Sequence, residues 1–186
     1  MKKIIVFLIC CLTLQACVSV GKPKHTSHTK PLKKYTAFQN FYHDTDITNQ
    51  AFRRFKTDPN LKNTRLLAAT KNQKVLLVGQ VTSPQQRTEA EELVRGIPGV
   101  LHVYNDIKIS GATSPLTQSS DSWITTKIKS QLAVVKNLPS RKIKVVTENG
   151  TVYLMGTITP SQADTTVNIA RRVAGVQKVV KLLDYV

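Results

Sequence analysis

Apolar residues recur through residues 120–186 in two distinct periods. Ile124, Ile128, Leu132 and Val135 return every three or four positions, which predicts a helix beginning near Ser122. Ile143, Val145 and Thr147 alternate with Lys144, Val146 and Glu148, the period of a half-buried strand. Asn149-Gly150 then marks a tight hairpin into a second strand, Thr151 to Ile158. Pro160 opens a second helix with Ala163, Val167, Ala170 and Ala174 on its buried side and Gly175 at its C-terminus. Val176 to Leu183 supplies the last strand. The predicted unit is helix, strand, strand, helix, strand.

The same pattern occurs once before. Val75 to Thr82 aligns with Val152 to Thr159 at an offset of 77, which also pairs Ile47, Ala51 and Phe55 with Ile124, Ile128 and Leu132. Leu66, Ala68 and Thr70 meet Ile143, Val145 and Thr147. After a one-residue gap at Ser83, Pro84 meets Pro160 and Gly99-Val100 meets Gly175-Val176. The fold class is therefore α+β, two tandem αββαβ units, with boundaries expected at 46–110 and 120–186 and a linker at 111–119. Gly79 and Gly156 stand inside strands, where glycine marks a bulge or a close approach of another backbone. Units of this size have marginal cores, so the two copies are expected to pack together.

The N-terminus carries a different signal. Lys2 and Lys3 precede an almost unbroken apolar run from Ile4 to Leu14, too short to span a bilayer but suited to a signal peptide. Leu14-Gln15-Ala16-Cys17 resembles the bacterial lipobox, which implies a signal peptide over 1–16 and N-acyl and diacylglycerol lipid on Cys17. Val18 rather than Asp follows, which in that pattern favours the outer membrane. Cys10 and Cys11 would leave with the signal, so neither a disulfide nor a free thiol is expected. Residues 17–45 read as a lipidated, flexible tether, with Tyr35, Phe38, Phe41 and Tyr42 near its end available to pack on the next unit.

Charge narrows the partners. The chain carries 27 Lys and Arg against 11 Asp and Glu, a formal +16, and +14 without residues 1–16. Such a balance points to an anionic partner. Export and lipidation leave nucleic acid without support and favour a membrane surface.

Residues Leu77-Val78-Gly79 and Leu154-Met155-Gly156, with the closing Gly-Val of each copy, resemble the BON domain. Two such domains behind a lipobox resemble the dual-BON outer-membrane lipoproteins, most closely over Ser120 to Lys127 and Lys144 to Gly150. On a helical wheel Trp123, Lys127, Ser130 and Val134 lie about 135° from the apolar stripe. The wheel alone leaves two readings of Trp123, the only Trp. Its ring could enter a membrane interface, or it could cap its own core or the contact between copies.

The resemblance implies the first. It assigns anionic phospholipid, notably phosphatidylglycerol, to the first helix of the second domain, with Trp123 entering the bilayer. Ser120, Asp121, Ser122, Lys127, Ser130 and Val134 would complete the contact, Asp121 as the helix N-cap. It further implies a periplasm-facing protein on the inner leaflet of the outer membrane, supporting membrane integrity at division sites. The alternative is a docking module for the machinery that assembles outer-membrane β-barrels, using the same indole as a hot spot.

Catalysis has no support. The four His (His25, His28, His43, His102) accompany no nucleophile motif or paired carboxylates, and there is no phosphate-binding Gly-rich loop. His25-x-x-His28 lacks further metal ligands. No enzyme activity, small-molecule substrate, metal or dissociable cofactor is expected.

Overall fold

The computed structural model describes residues 37–62, 64–111 and 114–186, with side chains from residue 43 onward. The signal peptide, Cys17, most of the tether and the His25/His28 pair lie outside the described residues. In the first copy, α1 (Ala37–Thr57) is followed by a hairpin of β1 (Arg65–Lys71) and β2 (Lys74–Val81). Helix α2 (Pro84–Arg95) then leads to a broken last strand, β3 (His102–Asn105) and β4 (Lys108–Ile109). The second copy repeats this with α3 (Pro115–Ala133), β5 (Lys144–Glu148), β6 (Thr151–Ile158), α4 (Pro160–Arg171) and β7 (Lys178–Tyr185). A 3₁₀ turn over Ser140–Lys142 precedes β5.

Each sheet has its second strand in the middle. β2 pairs antiparallel with β1 and parallel with β3 and β4, and β6 does the same between β5 and β7. A parallel return requires a crossover, which α2 and α4 provide. Both helices start on sequence-encoded caps. Ser83 accepts from Gln86 N, and Thr159 and Gln162 form a reciprocal capping box, each ahead of a Pro at N1.

Two helices cover one face of each sheet. Ile47, Ala51 and Phe55 pack on Leu66, Ala68 and Val75 in the first core, and Ile124, Ile128 and Leu132 pack on Ile143, Val145 and Val152 in the second. The other faces of the sheets meet each other. Leu76 and Val78 of the first sheet and Tyr153 and Met155 of the second form a third apolar cluster, all at most 2% exposed. The central strands are therefore apolar on both faces, and the domains stack helix–sheet–sheet–helix. Tyr35–Val186 is one compact unit containing all three clusters, as an independently folding body requires.

Polar groups fix the register of this stack. Asn72 Nδ2 donates to Thr157 Oγ1 at 2.9 Å and Gln80 Nε2 to Glu148 Oε1 at 2.7 Å, two pairs nearly related by exchange of the copies. Arg65 binds the same Glu148 oxygen at 2.5 Å, and Lys74 binds Asp184. Tyr153 donates its hydroxyl to Asp106 Oδ2 at 2.5 Å. Burial of Tyr153, reinforced by the Asp106 carboxylate, pushes its phenol well above the ordinary range.

Burial raises the Asp106 pKa, but hydrogen bonds from Lys108 and Tyr153 outweigh it and hold the carboxyl below its ordinary value. A carboxyl with a depressed folded pKa contributes stability above its unfolded pKa, about 4, and loses it as pH falls through the folded value. Asp106→Asn is therefore expected to flatten the acid limb of stability below about pH 4. Circular-dichroism melts from about pH 7 down to about pH 2 would measure this. An acid limb identical to the unsubstituted protein would remove Asp106 from the account.

Several boundaries depart from the sequence reading: the last strand, expected from Val176 to Leu183, runs Lys178–Tyr185, and α3 ends at Ala133, short of Val135. Helix α1 begins at Ala37, inside the stretch expected to be tether. Helix α3 begins at Pro115 with Ser114 as its N-cap, so most of the expected 111–119 linker is helical and Ser122 lies in mid-helix. Helix α4 ends at Arg171, and in the turn that follows Val173 is buried while Ala174 is exposed.

Candidate functional site

Helix α3 carries its core residues on one side and a second, unusual stripe on another. At 100° per residue, Leu116, Ser120, Trp123, Lys127, Ser130 and Val134 fall within about 80° of arc. Leu116 is 78% exposed, Trp123 53% and Val134 82%, although Ile124 beside them is nearly closed to solvent. The stripe runs about 27 Å along the helix at 1.5 Å per residue. Beside Trp123 a shallow depression is lined by Ser119, Ser120, Ile124, Ala174 and Gly175. The only carboxylate on α3 is Asp121, which is buried, so the exposed surface of this helix carries cations without anions.

The structure places the residues singled out from sequence differently from one another. Ser120, Trp123, Lys127, Ser130 and Val134 share the exposed stripe. Ser122 is exposed about 100° round the helix from Trp123, where its hydroxyl bonds Gln118 O at 3.0 Å. Asp121 is neither a cap nor a surface group. It is 5% exposed, and its two oxygens accept from Asn149 N at 2.7 Å and Gly150 N at 2.9 Å. Those amides belong to the β5–β6 turn, in which both residues have positive φ (49° and 69°). The carboxylate thus holds the tight Asn149-Gly150 turn against the helix, and the expected N-cap role is corrected.

The first copy is built the same way. Asp44 is 7% exposed and accepts from Asn72 N and Gln73 N, each at 2.8 Å, in the β1–β2 turn. One helical turn on, Thr48 donates to Thr70 at 2.8 Å, and Thr125 donates to Thr147 at the same distance. These residues stand 77 apart, so the repeat encodes the helix–hairpin clasp as well as the core. It does not repeat the stripe: an exposed Asp46 occupies the position of Trp123.

Gly79 and Gly156 lie where β2 and β6 pass closest to the preceding segment. A Cβ on Gly79 would stand 2.0 Å from Arg65 O, and one on Gly156 2.2 Å from Lys142 O. Among the described residues no group of three or more His, Cys, Asp or Glu is placed to hold a metal. Nor is any described helix long and apolar enough to cross a membrane. Leu116 was missed in the sequence because Gly111 to Ser120 has linker composition; the readable signal was Ser114-Pro115, an N-cap followed by an N1 proline.

The BON domain pattern matches residues 43–111 and again residues 120–186. The chain belongs to the BON family. It is 36% identical over 163 residues to the 21 kDa hemolysin of Actinobacillus pleuropneumoniae, covering 87% of this chain and 84% of that one. It is 40% identical over 121 residues to the outer membrane lipoprotein DolP of Haemophilus influenzae, covering 65% of this chain and 63% of that one. It is 32% identical over 143 residues to the osmotically-inducible protein Y of Escherichia coli, covering 75% of this chain and 71% of that one. Within this family frame, the clasp and the in-strand glycine are shared by both BON domains, whereas the stripe belongs to the second alone.

Proposed function

We propose that the protein is an outer-membrane lipoprotein, anchored through Cys17 and facing the periplasm, whose second BON domain binds anionic phospholipid. The observation that carries the reading is the α3 stripe, in which Leu116, Trp123 and Val134 project from a helix with no exposed carboxylate. An indole flanked by aliphatic groups and Lys127 suits the boundary between acyl chains and headgroups. The lipobox and the similarity to an outer membrane lipoprotein support the location. The acyl anchor raises the local lipid concentration, so a weak headgroup site suffices to orient the domain. Enrichment at division sites and support of outer-membrane integrity follow from the same preference where anionic lipid accumulates.

The test uses the chain from Val18 and vesicles with or without phosphatidylglycerol. The single Trp makes fluorescence a local report. A blue shift with anionic vesicles alone, diminished by salt, is expected. Trp123→Ala, followed by vesicle co-sedimentation, is expected to weaken binding at least about tenfold, as loss of a buried aromatic worth about 2 kcal/mol requires. Binding that persists in Trp123→Ala would overturn the reading, and a shift only when a protein partner is added would assign the stripe to protein docking.

A further inference from the structure

A cavity of about 650 Å³ opens between the two BON domains, lined by both. Lys129 on its wall lies about 120° round α3 from Trp123, so the cavity is on another side of the helix from the stripe. Its cations are Lys71 of the first domain and Lys129, Arg141 and Lys144 of the second. Ala133 and the methylene stems of these cations, above the nearly closed core residues Leu132, Ile143 and Val145, give it an apolar floor. Among the described residues none of the four cations has a carboxylate within salt-bridge distance. Asp44 is the one carboxylate in the lining, and its two oxygens already accept from Asn72 N and Gln73 N.

The centre of this arrangement is Lys144. Its ammonium, largely withdrawn from water, donates to Thr70 O at 3.2 Å, which leaves two of its three N–H groups for other acceptors. Burial holds its pKa below the usual lysine range; Asp44 opposes this, while Lys71 and Lys129 add to it by repulsion. Clustered cations over an apolar floor are expensive in an empty fold and favourable beside an anion. The chain's own preceding segment is no candidate occupant, because residues 18–36 carry five Lys and no acidic residue.

We infer that this interdomain cleft binds a single-chain anionic amphiphile, its head held by Lys71, Lys129, Arg141 and Lys144 and its tail lying along Ala133 and the methylene stems of those cations, over the core edge at Leu132, Ile143 and Val145. The volume falls in the range of small-ligand sites, about 300–1,000 Å³, and suits one acyl chain. The site is separate from the α3 stripe and does not depend on it.

The experiment titrates the ¹⁵N-labelled chain from Val18, which includes the whole compact unit, with laurate below its micelle concentration. Inorganic phosphate serves as a head-only control. Expected are saturable amide shifts at Thr70, Lys71, Lys129 and Lys144, with phosphate at least tenfold weaker. Lys144→Met should weaken laurate at least tenfold without lowering the melting temperature, since it removes a poorly solvated charge. Trp123→Ala should leave laurate affinity unchanged, and Lys144→Met should leave vesicle binding unchanged, which separates this site from the membrane-facing one. Shifts confined to the Leu116–Val134 stripe, full affinity in Lys144→Met, or equal binding of phosphate would each overturn the inference.

Discussion

Gly156→Ala is expected to destabilise the protein by about 3–5 kcal/mol, combining the strain of a disfavoured backbone region with a steric overlap. Gly156 has φ 145°, and the added Cβ would stand 2.2 Å from the carbonyl oxygen of Lys142 and 3.2 Å from its carbonyl carbon. The obstacle is backbone, so no side-chain rotation relieves it. Gly156 is also paired with Leu183 on its other side, which pins β6 between β5 and β7. Gly79 is tighter still toward Arg65 O, at 2.0 Å, but it falls between the residues that pair with β3 and those that pair with β4. β2 has more room to yield there, so Gly79→Ala is expected to destabilise less than Gly156→Ala. Urea unfolding followed by far-ultraviolet circular dichroism measures both. A loss below about 1 kcal/mol at Gly156 would show that the 140–143 segment shifts freely, against the packing described.

The reason for such sensitivity is the way the two domains share material. Each has only one sheet and two helices, and each central strand is buried on both faces. Leu77 and Leu154 point to their own helices, while Leu76 and Tyr153 point to the other domain. A displacement of β6 is therefore felt in two cores. Glu148 shows the same economy in polar terms, with Arg65 and Gln80 of the first domain both on its Oε1.

Most of the architecture was legible because it depends on periodicity. Of the residues read as the apolar faces of α1, α3, β1 and β5, Ile47, Ala51 and Phe55, Ile124, Ile128 and Leu132, Leu66 and Ala68, and Ile143 and Val145 are buried, whereas Val135 lies past the end of α3 and is only half-buried. The start of α4 at Pro160 was legible, but those of α1 and α3 were less so. Pro115 to Ser120 is poor in strong helix formers, and its helicity rests on the Ser114-Pro115 start and on packing of the turns that follow. That error hid Leu116 and made Asp121 look like a cap. Beyond this, periodicity is silent about what a buried polar residue binds. Asp121 precedes Ser122 and Trp123 in a surface-like run, and only the folded hairpin brings the Asn149 and Gly150 amides to it. The interdomain cleft was invisible for a related reason: Lys71 and Lys144 look like solvated strand residues until the sheets are stacked.

Asp121→Ala is expected to destabilise the second domain by about 3–5 kcal/mol, since two amide bonds to a charged acceptor are worth about 1.5–3 kcal/mol each. The amide of Gly150 would be left buried without a partner, and Asn149 and Gly150 would keep their left-handed conformations unsupported. Asp121→Asn retains one acceptor oxygen and turns an NH₂ toward the other amide, so roughly half that loss is expected. Hydrogen exchange at Asn149 and Gly150 should accelerate in both variants. The Asn variant also separates the two meanings a carboxylate at this position can have. If Asp121 acts only as the clasp, Asp121→Asn, kept well below its melting temperature, binds anionic vesicles as well as the unsubstituted protein. A carboxylate touching the headgroups would instead repel them, and its neutralisation would tighten binding with little change in stability. Two bonds of 2.7 and 2.9 Å to the hairpin, and 5% exposure, select the first outcome. If α3 reads lipid as proposed, the contact then rests on Trp123 and its neighbours along the stripe, while Asp121 keeps the helix and the hairpin beneath them in register.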